Sequence, residues 1–119
     1  MADEHQIYSD DWKSLGIVSS AEAAEDAVQL SRGEDPHPEH YRWRRFVRFV
    51  HARSEIDATL ATSLYALGER DPDCSLGESI MSAVIRREDC PRELHEKAIS
   101  GSSEHLKRVA AARLHGKKG

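Results

Sequence analysis

The sequence predicts an all-α fold, and three observations carry that reading. No segment alternates apolar and polar residues for long, and there is no Asn-Gly or Asp-Gly hairpin turn. Helix-capping residues recur along the chain, and Gly16, Gly33 and Gly101 stand where helices would end. Between these marks, apolar residues return at helical spacing.

Taken in order, Ser9 caps a short helical turn holding Trp12 and Leu15, closed by Gly16. Ser19 or Ser20 opens a helix to about Ser31, with Glu22 in its first turn and Ala24, Ala27, Val28 and Leu30 as its apolar face. In DPHP, Asp35 to His37 are extended because residues before proline avoid the helical region, and Pro38 takes the first helical position. That helix runs to about Arg53. Ser54 with Asp57 reads as a capping box for a helix ending near Arg70. Ser75 with Glu78 reads as another, opening a helix to about Arg87. Cys90 and Pro91 open a further helix closed by Gly101, and Ser102 or Ser103 caps the last, to about His115. The expectation is a single compact domain over residues 1–119, with five or six short antiparallel helices. Residues 1–18 form an acidic N-terminal segment with a short helix, and 116–119 a frayed tail.

The composition sets limits. A chain of 119 residues reads as one domain. No apolar run approaches the roughly 18 residues of a membrane helix. The acidic start MADEHQIYSDDW lacks the apolar stretch of a signal peptide, so a cytoplasmic protein is expected. Cys74 and Cys90 form no metal-type spacing and are expected as free thiols. Residues 1–40 hold ten acids against Lys13 and Arg32, a net −8, while 41–119 carry a net +4. Such asymmetry predicts either attraction within the fold or an acidic face for a basic partner.

A thirty-residue offset aligns Leu64 with Leu94, Gly68 with Ala98, Leu76 with Leu106, Ile80 with Ala110 and Val84 with Leu114. Phe46 and Val50 extend the series upstream. Each unit would be a helix pair stacked on its neighbour. Within this series, CPRELHEKAISGSSEHLKRVAAARL, residues 90–114, resembles one unit of the HEAT-like and leucine-rich-repeat-variant helical repeats. The matching positions are Cys90, Pro91, Leu94, Ala98, Val109 and Ala110. The resemblance covers about a fifth of the chain. It implies stacked helix pairs and a role in binding other macromolecules, and it brings no active site.

Three chemistries compete for the candidate residues. A metal site would use His pairs at i,i+4 or repeated Glu-x-x-His, and the seven histidines (His5, His37, His40, His51, His95, His105, His115) offer neither in a helical frame. They are expected to be exposed or capping, and no metal or other cofactor is expected. A cysteine nucleophile would be Cys90, activated at a helix N-terminus, with Cys74 left in a turn. No phosphate loop or nucleophile elbow is present, so the chain is not expected to be an enzyme.

The densest stretch is DPHPEHYRWRRFVRFVHAR, residues 35–53, with three histidines and five arginines among Tyr41, Trp43, Phe46 and Phe49. At about 100° per residue, Trp43, Phe46, Val47 and Val50 share one arc, the expected core stripe. Arg44, Arg48 and His51 fall opposite, with Arg45 and Tyr41 beside them. Arg44, Arg45 and Arg48 could meet nucleic-acid phosphates. They could pair with the acidic N-terminal segment folded across them. They could also form a protein-binding face, for which arginine and tyrosine are the enriched types. The expected role is a non-catalytic protein-binding module, of an inhibitor or immunity type that neutralises a basic enzyme or toxin. Its partner-binding residues would be Asp10, Asp11, Glu22, Glu25, Asp26, Tyr41, Arg44, Arg45 and Arg48. A small enzyme or metal-binding bundle using Cys90 or the histidines, and a nucleic-acid binder, are the alternatives.

Overall fold

The computed structural model describes residues 7–33 and 35–116, with the side chains of 115 and 116 excepted. It is all-helical. The described residues form seven α-helices and no strand: α1 (Asp10–Ser14), α2 (Ser20–Ser31), α3 (Pro38–His51), α4 (Ala58–Arg70), α5 (Cys74–Ile85), α6 (Arg92–Ile99) and α7 (Glu104–Gly116). The count exceeds the expected five or six because the short turn at Trp12 is a helix in its own right. None of the helices is long and apolar enough to cross a membrane. The chain's contacts gather into two compact units, residues 1–53 and 54–119.

In the first unit, the leading segment is a source of core. Ile7, Tyr8, Trp12, Ile17 and Val18 are all buried. The turn after α1 is closed by its own backbone: Ile17 and Val18 both donate N–H to the Trp12 carbonyl, at 3.0 and 3.3 Å. Gly16 makes this possible at φ +81°, where a Cβ would be strained. Ser9 stands at the N-cap of α1, yet its side chain makes no capping bond. Ser19 does cap α2 in a full capping box: its Oγ accepts the Glu22 N–H, and the Glu22 carboxylate accepts the Ser19 N–H, both at 3.0 Å.

Two expected faces are displaced. The apolar face assigned to α2 stays outside: Val28 is 49 % exposed, Ala24 is exposed, and Ala27 and Leu30 are half-buried. The one buried residue of α2 is Asp26. On α3 the buried residues are Tyr41, Arg42, Phe46, Phe49 and Val50, with Trp43 and Val47 half-buried. The buried arc is therefore turned by about a quarter-turn toward the arginine side. The physical reason is the leading segment, which covers that side: Arg42 donates to the Ile7 carbonyl at 3.2 Å.

In the second unit, α4 packs against α5, α6 against α7, and α5 against α7. The caps of α4 and α5 are aspartates rather than the serines expected. Asp57 accepts the Leu60 N–H at 2.8 Å, and Asp73 accepts the Leu76 N–H at 2.9 Å. Ser54 and Ser75 do not cap, because a helix starts where an acceptor meets the free N–H groups two or three residues on. Ser103 does cap α7, accepting from Leu106 N–H at 3.2 Å. Asp89, gripped by Arg87, accepts the Ile56 N–H at 2.8 Å and so ties the entry of α4 to the loop after α5. The thirty-residue partners Leu64 and Leu94, Gly68 and Ala98, Leu76 and Leu106, and Ile80 and Ala110 are all buried.

Gly68 and Gly77 have a packing reason. A Cβ on Gly68 would lie 2.8 Å from the Gly77 carbonyl oxygen and 2.8 Å from the Met81 side chain. A Cβ on Gly77 would overlap the Gly68 carbonyl oxygen outright. The α4 and α5 backbones touch there. Alanine normally improves a helix interior by about 1 kcal/mol over glycine. Here the overlap is with backbone and cannot be relieved by a rotamer. Gly77→Ala is therefore expected to lose about 1–3 kcal/mol, read as a lower denaturant midpoint. A midpoint that rises would mean the helices part at little cost.

Candidate functional site

The site is built on α2 and α3 of the first unit, and Asp26 is its centre. Asp26 is 4 % exposed. Its two oxygens take both arms of the Arg45 guanidinium: Arg45 Nε donates to Oδ2 at 2.9 Å and Nη2 to Oδ1 at 2.8 Å. The Tyr8 hydroxyl donates to Oδ2 at 2.6 Å. Arg45 also donates to Glu22 and Glu25, each at 3.3 Å. One turn along α3, Arg48 forms a second fork with Glu22, at 2.8 and 3.1 Å, and reaches the Ile17 carbonyl at 3.4 Å. Part of the charge asymmetry of the sequence is thus met within the first unit, by Glu22, Glu25 and Asp26 of α2.

These contacts shift the titrating groups. Burial pushes the Asp26 carboxyl up, but the Arg45 fork and the Tyr8 hydroxyl outweigh it and hold the group below its ordinary range. Burial and then the neighbouring Asp26 push the Tyr8 hydroxyl well up. The Asp26 fork raises Arg45 further. The Arg48 fork, with the Ser19 N–H behind it, holds Glu22 down to about 2.

Beside the clamp lies an open groove of about 330 Å³, lined by Glu25, Asp26, Gln29, Tyr41, Arg44, Arg45 and Arg48. The structure therefore brings Glu25, Asp26, Tyr41, Arg44, Arg45 and Arg48 together, with Glu22 on Arg45 and Arg48. Asp10 and Asp11 on α1 do not line it. Asp26 is buried, and Arg45 donates at all three guanidinium nitrogens. Tyr41 is buried beneath Arg44, whose guanidinium sits 4.6 Å from the ring centroid. Arg44 itself remains 59 % exposed, with Asp35 at 3.5 Å as its polar contact. Sequence reasoning missed Tyr8, Asp35 and Gln29. Gln29 stands three and four residues after Asp26 and Glu25, so helical spacing alone would have placed it on their face. Nothing local marks Tyr8.

The other candidates lie elsewhere. Cys90 is buried, whereas the exposed thiol at a helix start is Cys74, the first residue of α5, which was expected in a turn. His95 is fully buried rather than exposed or capping, with Nε2 donating to the Ile85 carbonyl at 2.8 Å. That carbonyl is the last of α5 and lacks a partner within its own helix. His37 and His40 sit with ring centroids 5.0 Å apart, and His40 lies 3.2 Å from Asp35. His51 is exposed on α3. His5 lies outside the described residues, as does the His115 side chain. Among the described residues no three His, Cys, Asp or Glu side chains are grouped to hold a metal ion. Comparison with protein-family models, curated proteins and solved structures finds no match to this chain.

Two outcomes follow from the clamp. Removing one member of a buried pair strands the other, so Arg45→Ala should lose about 2–4 kcal/mol in denaturant unfolding. Arg48→Ala, at a half-exposed site, should lose about 0.5 kcal/mol. The double variant Asp26→Leu with Arg45→Met should recover most of the Arg45→Ala loss. If Arg45→Ala and Arg48→Ala cost the same, Asp26 is not the centre.

Glu22 and Asp26 have folded-state values below their unfolded ones. Each contributes stability that is complete above about pH 4.5 and is lost as the pH falls, for Glu22 through about 2. The denaturant midpoint should drop as the pH falls from about 4.5 toward about 2. Asp35 and Asp89 are also held low, so Glu22→Gln is the control: its midpoint should fall less steeply over the same window. An unchanged slope in Glu22→Gln would remove Glu22 from the account.

Proposed function

We propose that the chain is a non-catalytic protein-binding module whose contact face is the α2–α3 groove. The observation that supports this most is Arg44. It is a solvent-facing guanidinium at a groove, held in place on a buried tyrosine ring while its neighbours on α3 are internally neutralised. Arginine and tyrosine side chains ordered before binding are the usual anchors of protein interfaces, because little rotamer freedom remains to be lost. The resemblance of residues 90–114 to helical repeats, and the α4/α5 and α6/α7 helix pairs, agree with a binding role.

An inhibitor or immunity-type blocker of a partner enzyme is the finer reading within this class. It rests on size and on the acidic excess. The acids that could steer a basic partner are the exposed ones, Asp10 and Glu25, since Glu22 and Asp26 are committed to Arg45 and Arg48. Nucleic-acid binding draws less support. Phosphate affinity grows with the number of cations offered, and two of the three candidate arginines already hold carboxylates. A Cys90 nucleophile likewise draws less support, as that thiol is buried. A cytoplasmic setting remains part of the proposal.

The test is capture of a partner by the tagged protein and measurement of its stoichiometry. Gln29→Trp fills the groove from a half-exposed helical position. A one-to-one partner is expected, weakened about tenfold or more by Gln29→Trp, a change of about 1.4 kcal/mol. An unaffected partner would move the interface off the groove. Failure to capture any stoichiometric partner would count against the protein-binding reading itself.

A further inference from the structure

We infer that the α2–α3 groove takes an acidic side chain, aspartate or glutamate, from an extended peptide segment of the partner, with Arg44 as its anchor. The inference rests on the protein-binding reading above and names the chemistry of the partner at that face.

Three neighbouring arginines on α3 have three different fates. Arg45 and Arg48 each hold a carboxylate bidentately. Among the described residues, Arg44 has only Asp35 as a hydrogen-bond partner, at 3.5 Å, the outer limit of such a bond. A guanidinium carries five N–H donors and prefers a carboxylate that accepts two in parallel. Arg44 therefore meets its carboxylate at a single long contact, where its two neighbours each hold one bidentately. Its guanidinium rests over the Tyr41 ring, 4.6 Å from the centroid, so part of its freedom is already lost before a carboxylate arrives.

The rest of the lining says which kind of acid. Gln29 offers an amide that both donates and accepts, and its side chain bonds nothing among the described residues. Glu25, 66 % exposed on its side chain, is an acceptor at the rim. A peptide backbone presents N–H donors for Glu25 and an amide group for Gln29. A nucleic-acid backbone presents acceptors and negative charge throughout, which the exposed Glu25 does not match. The mixture of one open cation, one acceptor and one amide thus fits a peptide carrying an acid. The groove is open to solvent, and Arg44 on its lining is exposed, so a side chain from outside can reach the guanidinium.

The probe is the capped tripeptide acetyl-Gly-Glu-Gly-amide, with the Gln tripeptide as its neutral counterpart. The readout is the arginine Nε–Hε NMR signals of the labelled full chain at about 0.15 M salt. Arg92, 74 % exposed and paired with Glu96, reports generic guanidinium pairing. The Glu peptide should shift the Arg44 signal with an apparent Kd about fivefold or more below that at Arg92, and the Gln peptide should not. Glu-peptide binding in Arg44→Lys, followed through the Gln29 amide signals, should fall to the generic level, because an ammonium neither forks nor stacks. Thermal melting of Arg44→Lys near wild type checks that the fold is kept.

Equal affinity at Arg44 and Arg92 would overturn the assignment. So would a single-stranded oligonucleotide that shifts Arg44 more strongly than the Glu peptide does. If a stoichiometric partner is captured while the titration fails, the assignment alone falls and the protein-binding reading stands. If no partner is captured at all, both fall.

Discussion

The first unit depends on the contact between Asp26 and Arg45. A twelve-residue helix is marginal by itself, and in most proteins an apolar face holds such a helix down. Here α2 has no such face: its only buried residue is an aspartate. The charge enters the interior because every oxygen lone pair of consequence is met, by the Arg45 fork and the Tyr8 hydroxyl. Tyr8 belongs to the leading segment, so one carboxylate joins three parts of the unit: the segment before α1, α2 and α3. A buried ion pair seldom adds more net stability than a well-packed apolar contact. What it supplies here is register. An alanine-rich helix could slide or rotate against α3 at little cost, but only one rotation sets Asp26 on Arg45.

Glu22 extends the same logic outward. It completes the capping box of α2 with Ser19 and also fills the Arg48 fork. The start of the helix and its lateral attachment thus share a residue. Forming the cap turns the carboxylate toward Arg48, and binding Arg48 restrains the cap. Contacts that share a group in this way strengthen or fail together.

The sequence showed some of this and hid the rest for identifiable reasons. The helices were legible because their ends are chemically local: Ser19 with Glu22, Pro38 at a first turn, Gly16 and Gly33 at positive φ. The internal pairing was legible as a sum, since segments of opposite net charge attract whichever atoms meet. Its atomic form was not, because Arg45 and Asp26 lie nineteen residues apart. The core face of α3 was misjudged for a related reason. Periodicity finds the most apolar arc of a helix, here Trp43 to Val50, but burial depends on what covers the helix. Ile7, Tyr8 and the clamp lie on its other side, where Tyr41 and Arg42 are buried. The close approach of α4 and α5 was invisible as well. A glycine within a helix reads as a weak point in one dimension and as a contact only in three. The Ser54 and Ser75 boxes failed because Asp57, three residues after Ser54, and Asp73, two residues before Ser75, take the same role with a charged acceptor.

The clamp also sorts the arginines of α3, and this sorting makes a binding reading specific. Arg44, Arg45 and Arg48 are chemically identical and fall within five residues of one helix. Had all three stayed open, they would form a general anion patch, with affinity for any polyanion that falls as salt rises. Neutralising Arg45 and Arg48 removes most of that nonspecific field and leaves one fork, fixed on a ring, at the edge of a groove. Discrimination at such a place comes from geometry as well as charge: a ligand must bring a carboxylate to a guanidinium resting over Tyr41 and tolerate Glu25 alongside. The acids of α2 thus build the unit, suppress indiscriminate binding and isolate the single arginine that can still select.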